Sequence, residues 1–168
     1  PEKVKAVIGL SVPFAQRGNI SSIELWKKLY KNKFFYQMYF QKEGVAEKEF
    51  EKDISLSLRK IYYSASAEGK DANVRPGTKP NSGYLDGIPD PSPFPNWLTK
   101  IDLQYYTSAF KKSGFRGPLN RYRNQDRDWK MLPELSYLKV TQPSYFIGGE
   151  KDSVRYFIKG KDSYENPE

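Results

Sequence analysis

Apolar residues change their spacing along this chain, and each change marks a different kind of element. Val4 to Val12 (VKAVIGLSV) is short, rich in β-branched residues and apolar on both alternations, and Pro13 ends it. Such a run predicts a strand buried on both faces of a parallel sheet. From Ile20 to Tyr63 the spacing becomes helical. Phe50, Ile54, Leu58 and Ile61 recur on one side, with Glu47, Lys48, Glu51 and Lys52 on the other, which predicts an amphipathic helix. An earlier helix is predicted with Ser22 as its N-cap and Leu25, Trp26, Leu29 and Tyr30 following.

Ser64 to Trp97 breaks the periodicity. The segment is rich in Ser, Gly, Asn and Pro, and six of the 12 prolines lie between Pro76 and Pro95, so an extended loop is expected. A loop of that length suits a lid connection or a linker between halves of the helical region. Thr99 then reads as the N-cap of a helix carrying Leu103, Tyr106 and Phe110 on one face. Leu138 to Ile147 (LKVTQPSYFI) is a second apolar strand, running into Gly148, Gly149, Glu150, Lys151 and Asp152. An acid just past a strand end is informative, because ligands and catalytic groups gather at the carboxyl ends of parallel strands. The order is therefore strand, helical insertion, strand, which predicts an α/β chain.

Composition removes several function classes. The 168 residues contain no Cys and no His, so disulfides, thiolate chemistry, the usual zinc sites and a histidine-based triad within this chain are all excluded. The acids form no calcium-loop pattern, and neither a metal nor a cofactor is expected. No apolar run is long enough to span a bilayer, and no basic-then-apolar segment opens the chain, so a cytoplasmic protein is expected. The first residue is Pro1, which reads as the start of a processed or partial product. The Asn19-Ile20-Ser21 sequon carries little weight without secretory features.

A net charge of +8 leaves room for an anionic partner. Lys111, Lys112, Arg116, Arg121, Arg123, Arg127 and Lys130 interleave with Phe110, Phe115, Tyr122 and Trp129, a mixture that can bind single-stranded nucleic acid. Asp126 and Asp128 interrupt the run, and dispersed charge of both signs is usually a solvated surface, so no nucleic-acid partner is expected.

Two longer motifs are more specific. Tyr36-Gln37-Met38-Tyr39-Phe40-Gln41, followed by Glu43-Gly44-Val45-Ala46-Glu47, resembles the first lid motif of soluble epoxide hydrolases of the α/β-hydrolase superfamily. Ser113-Gly114-Phe115-Arg116-Gly117-Pro118-Leu119-Asn120-Arg121-Tyr122-Arg123-Asn124 is similar to the second lid segment of that family. Phe146 to Asp152 resembles its strand and turn with a charge-relay acid, and Ser11-Val12-Pro13-Phe14 its entry to the lid.

The resemblance implies an α/β-hydrolase fold fragment, mainly a helical lid inserted between two parallel core strands. Residues 1–14 would carry the first strand, 15–132 the lid with the proline-rich loop 64–97, and 133–168 the second strand and acid turn. It also implies opening of an epoxide by an aspartate, hydrolysis of the resulting ester by a histidine-activated water, and a vicinal diol product. Tyr36 and Tyr122 would donate to the epoxide oxygen, Asp152 would orient the histidine, and Gln37 and Phe40 would wall the pocket. Tyr39 and Tyr106 are core candidates.

The nucleophile and the histidine of that family have no counterpart in this sequence, so the chain alone is expected to be inactive. Its expected partners are a small-molecule epoxide and either the remaining core of the same enzyme or a second copy in a homodimer, with no membrane contact. Two strands without neighbours would also have unpaired edges. Competing readings are a haloalkane dehalogenase-like hydrolase, against which the tyrosine pair argues, and a basic helical module that binds nucleic acid or an acidic protein.

Overall fold

The computed structural model describes residues 3–158 and 160–165; residues 1, 2, 159 and 166–168, in the two segments assigned above to the flanking strands, lie outside the described residues. A short strand, Val7–Leu10 (β1), is followed by helices Ser22–Leu29 (α1), Tyr36–Tyr39 (α2), Val45–Phe50 (α3), Ile54–Ala65 (α4) and Ala67–Asp71 (α5). A long irregular segment leads to Lys100–Ser113 (α6), Arg116–Arg123 (α7) and Gln125–Met131 (α8), and the chain returns to a strand, Ser144–Ile147 (β2). The two strands pair in parallel with Val7 opposite Ser144 and Leu10 opposite Ile147. Everything between them is helical or irregular, as the strand, insertion, strand order requires.

Capping chemistry explains where the helices begin. Ser21, not Ser22, caps α1, its hydroxyl accepting from the Glu24 N–H at 3.3 Å. The single helix expected around Phe50 to Ile61 is two helices, because Asp53 turns its carboxylate onto the Leu56 N–H at 3.0 Å and starts α4 afresh. At α6 the Thr99 hydroxyl accepts from the Asp102 N–H at 3.1 Å while Asp102 accepts from the Thr99 N–H at 3.1 Å, a reciprocal capping box. The segment expected to be loop from residue 64 instead continues α4 to Ala65 and adds α5, capped by the Ser66 hydroxyl on the Gly69 N–H at 3.1 Å.

The helices enclose one core: Phe40, Ala46, Phe50, Leu58, Tyr84, Ile88, Leu103, Phe115 and Leu119. Helix α4 packs against α6, and the irregular segment contributes Tyr84 and Ile88, so the proline-rich stretch is bound into the core. Glu49 anchors it, accepting from the Tyr84 and Leu85 N–H groups at 3.0 Å each and from the Tyr39 hydroxyl at 2.9 Å. At Gly77, with φ +65°, a Cβ would come within 2.3 Å of the Phe34 ring, so the turn and the close approach both require glycine.

The sheet is the reverse. Ile8 and Leu10 are each 65% exposed and Tyr145 75%, whereas burial on both faces was expected for β1. Two strands alone have no layer to pack against, so apolar residues that alternate to both faces remain uncovered.

Candidate active site

Helix α2 is a single turn, and it carries three of the candidate residues. Tyr36 sits at its start and Gln37 is buried within it, 8% exposed, while Phe40 caps its end at 6% exposure. Helix α7 brings Tyr122 alongside, with the Tyr36 and Tyr122 rings edge to face and their centroids 5.7 Å apart. Phe40 lies against both, 5.5 Å from Tyr36 and 5.1 Å from Tyr122, and stacks on Tyr84 at 5.6 Å. Residues 86 positions apart in sequence are thus joined in one aromatic cluster. In this structure Phe40 belongs to the core behind the tyrosines.

Two polar stitches hold α2 and α7 together. Gln41 Nε2 donates to the Gln37 carbonyl at 2.9 Å and to the Tyr122 carbonyl at 3.1 Å. Arg123 donates to the Phe40 carbonyl at 2.8 Å and meets the Glu47 carboxylate at 2.6 Å and 2.9 Å through separate nitrogens. Both side chains of that pair are about nine-tenths buried, with relative exposures of 9% and 11%. Glu47, assigned by its spacing to the polar side of a helix, is therefore an interior residue whose charge Arg123 meets. The guanidinium holds the Glu47 carboxyl below its ordinary value.

Gln37 Nε2 donates to the Tyr36 hydroxyl oxygen at 2.9 Å, and Gln37 Oε1 accepts from Gln125 Nε2 at 3.1 Å. Burial raises the Tyr36 phenol well above its ordinary value, and the Gln37 hydrogen bond opposes that shift. The group is consequently protonated throughout the neutral range. Its oxygen already accepts one hydrogen bond, which leaves its proton for a different acceptor. Tyr84, beneath Phe40, is likewise pushed up by burial, to about 12.

Asp152 lies past the end of β2 and caps the 3₁₀ turn Ser153–Tyr156, its Oδ1 accepting from the Val154 N–H at 2.9 Å. Oδ2 accepts from the Ser11 hydroxyl at 2.6 Å. Ser11 follows β1 with φ +64°, an unfavourable conformation for a residue with a Cβ, and its carbonyl accepts from the Tyr164 hydroxyl at 2.9 Å. Because the strands are parallel, Ser11 and Asp152 meet at the same, carboxyl edge of the sheet.

Phe157 connects this turn to the tyrosines. Its ring contacts Trp26, Phe35 and Tyr36, the last at 6.1 Å, and its carbonyl accepts from the Tyr30 hydroxyl at 2.8 Å. Neither Phe157 nor Gln125 carried a sequence signal, since one lies in an aperiodic tail and the other in a charged run. Within the basic and aromatic run that could suit nucleic acid, Phe115 is 5% exposed and stacked on Phe110, Arg123 is committed to Glu47, and the Trp129 ring is covered by the Arg17 guanidinium at 3.9 Å. Among the described residues no acidic cluster suits a metal ion, and no helix is long and apolar enough to cross a membrane.

No family model matches the chain. It is 32% identical over 159 residues to epoxide hydrolase A of Mycobacterium tuberculosis, covering 94% of this chain and 49% of that protein. It is 36% identical over 155 residues to bifunctional epoxide hydrolase 2 of Rattus norvegicus, covering 92% of this chain and 27% of the relative. Among solved structures it superposes on epoxide hydrolase A from Mycobacterium thermoresistibile with a TM-score of 0.84 at 34% identity, covering 98% of this chain and 52% of the other. The chain is thus a homologue of epoxide hydrolases with the fold of an α/β-hydrolase lid and two flanking strands, and it spans between about a quarter and about half of the length of these relatives.

Proposed function

We propose, from this homology, that the chain is the lid-bearing part of an enzyme that hydrolyses epoxides to vicinal diols. The observation that carries the reading is the junction of Tyr36 and Tyr122 in one aromatic cluster, with Tyr36 protonated and already accepting from Gln37. Opening an epoxide leaves negative charge on its oxygen, and a buried phenol is a suitable donor because it remains protonated at neutral pH. In this proposal both tyrosines donate to that oxygen, and Gln37 holds Tyr36 in place. Residues 15–132 act as the lid.

Asp152 would accept a hydrogen bond from a histidine and stabilise its charged form. Its carboxylate already accepts from the Ser11 hydroxyl and the Val154 N–H and interacts with the Tyr164 hydroxyl, and a histidine N–H would be a further donor to it. The sequence holds no histidine, so that residue and the attacking aspartate would be supplied by parts of the protein other than these 168 residues.

The test uses the complete protein with styrene oxide. Tyr36→Phe together with Tyr122→Phe is expected to lower diol formation at least about a hundredfold, as loss of acid catalysis does, with melting temperature little changed. Diol formation by the double variant at the parent rate would falsify the reading. The 168-residue chain alone is expected to form no diol.

A further inference from the structure

The Gln37 carboxamide has a donating end and an accepting end, and both are in use. Nε2 donates to the Tyr36 oxygen and Oε1 accepts from Gln125 Nε2. If Gln37 turned over alone, its Nε2 would face the Gln125 Nε2, donor against donor. If both amides turned over, Gln125 would place two N–H donors where its Oε1 now sits. That oxygen is buried with no hydrogen-bond partner, so the exchange would replace one unsatisfied acceptor with two unsatisfied donors. Gln125 therefore decides which end of Gln37 the phenol meets.

That choice has a chemical consequence. A phenol has one proton, and an amide N–H can only donate, so Tyr36 keeps its proton for a third party. Were Gln37 Oε1 to face it, the proton would be spent on Gln37. An apolar side chain of the same length would fill the Gln125 position without leaving an unpartnered oxygen, so packing alone does not account for a glutamine there. We infer that Gln125 is a positioning residue that acts through Gln37 to aim the Tyr36 proton outward, given the epoxide-opening role proposed for Tyr36.

The complete protein is assayed with styrene oxide as Gln125→Met and Gln125→Glu, each alone and combined with Tyr36→Phe or Tyr122→Phe. Met removes the donor. Glu is isosteric but only accepts, so it turns Gln37 round and presents Oε1 to the phenol. Met is expected to lower kcat/KM about three- to tenfold, the scale of one neutral hydrogen bond, and Glu more than Met. Both losses are expected to persist with Tyr122→Phe and to fall below about twofold with Tyr36→Phe, since a group acting through Tyr36 has nothing left to act on. A structural role would not depend on hydrogen-bond polarity, and the Met variant carries no buried charge that would unfold the site. The inference is overturned if Gln125→Met is silent, if Glu is no worse than Met, or if the losses are equal in both backgrounds. If Tyr36→Phe is itself silent, the role proposed for Tyr36 falls and the inference with it, a pattern distinct from a costly Tyr36→Phe beside a silent Gln125→Met.

Discussion

The helical region and the two-stranded sheet have similarly apolar sequences and opposite surroundings. Phe50, Leu58 and Ile88 are each 2% exposed, whereas Ile8, Leu10, Tyr145 and Ile147 are all more than half exposed. The helices find partners within the chain, because Tyr84 and Ile88 return from the irregular segment to complete their core. The strands find each other and, at Phe146, the Tyr164 ring at 5.0 Å. A sequence pattern therefore reports what a residue is suited to, and the burial it receives depends on which layers are there to receive it.

The largest expected effect tests that contrast directly. Phe50→Ala should destabilise the chain by about 3–5 kcal/mol, the cost of emptying a packed site, whereas Ile8→Ala should cost less than about 0.5 kcal/mol in the same chain. Urea denaturation of both variants measures the difference, and equal losses would mean the sheet is covered in solution. In the complete protein proposed above, Ile8→Ala should rise to about 2–4 kcal/mol as neighbouring layers bury it.

The next effect lies where the two lid motifs meet. Arg123→Met leaves the Glu47 carboxylate interior and unpaired, which should cost about 3 kcal/mol. Its pH dependence has a definite sign. The Glu47 carboxyl titrates below its ordinary 4.5 when folded, so the pair stabilises fully above that value and its contribution is lost as pH falls through the folded value. Unfolding of the parent followed from pH 6 down to pH 3 should show that loss, and Arg123→Met should lack it.

Much of this arrangement was legible in the residues, and the gaps have physical causes. Parallel strands flanking a helical insertion followed from the β-branched runs, and the Thr99 cap from its place before a periodic face. The break at Asp53 was hidden because Phe50, Ile54 and Leu58 keep their helical spacing across it, and only the capping carboxylate separates the two helices. Helix α7 was obscured by Gly117 and Pro118, yet proline in a first helical turn loses no intrahelical hydrogen bond. At the site, the motifs named Tyr36, Tyr122 and Asp152, and the structure brings the two tyrosines together. Gln125 and Phe157 were out of reach because long-range contact, not local pattern, gives them their places.

A smaller effect asks how much of the helical region's order is local. Thr99→Ala removes one half of the α6 capping box on an exposed helix start, and about 1 kcal/mol should be lost. If denaturation instead shows the several kilocalories expected of Phe50→Ala, the start of α6 is coupled to the core and the contrast between buried and exposed positions needs redrawing.

The smallest effect separates two arginines on one helix. Arg116 pairs with Glu43 at 3.0 Å, but both side chains are largely in water, with exposures of 66% and 62%. Solvent screens such a pair, and holding two long side chains in place costs entropy, so Arg116→Ala should change stability by less than about 0.5 kcal/mol. The same helix carries Arg123 with its partner about nine-tenths buried, so the two positions compare an exposed with an interior arginine within one helix. Added salt should erase the small Arg116 effect and leave most of the Arg123 effect, because ions screen exposed pairs far more than interior ones. Equal salt sensitivity would mean that water reaches the Arg123–Glu47 pair, which joins α7 to α3.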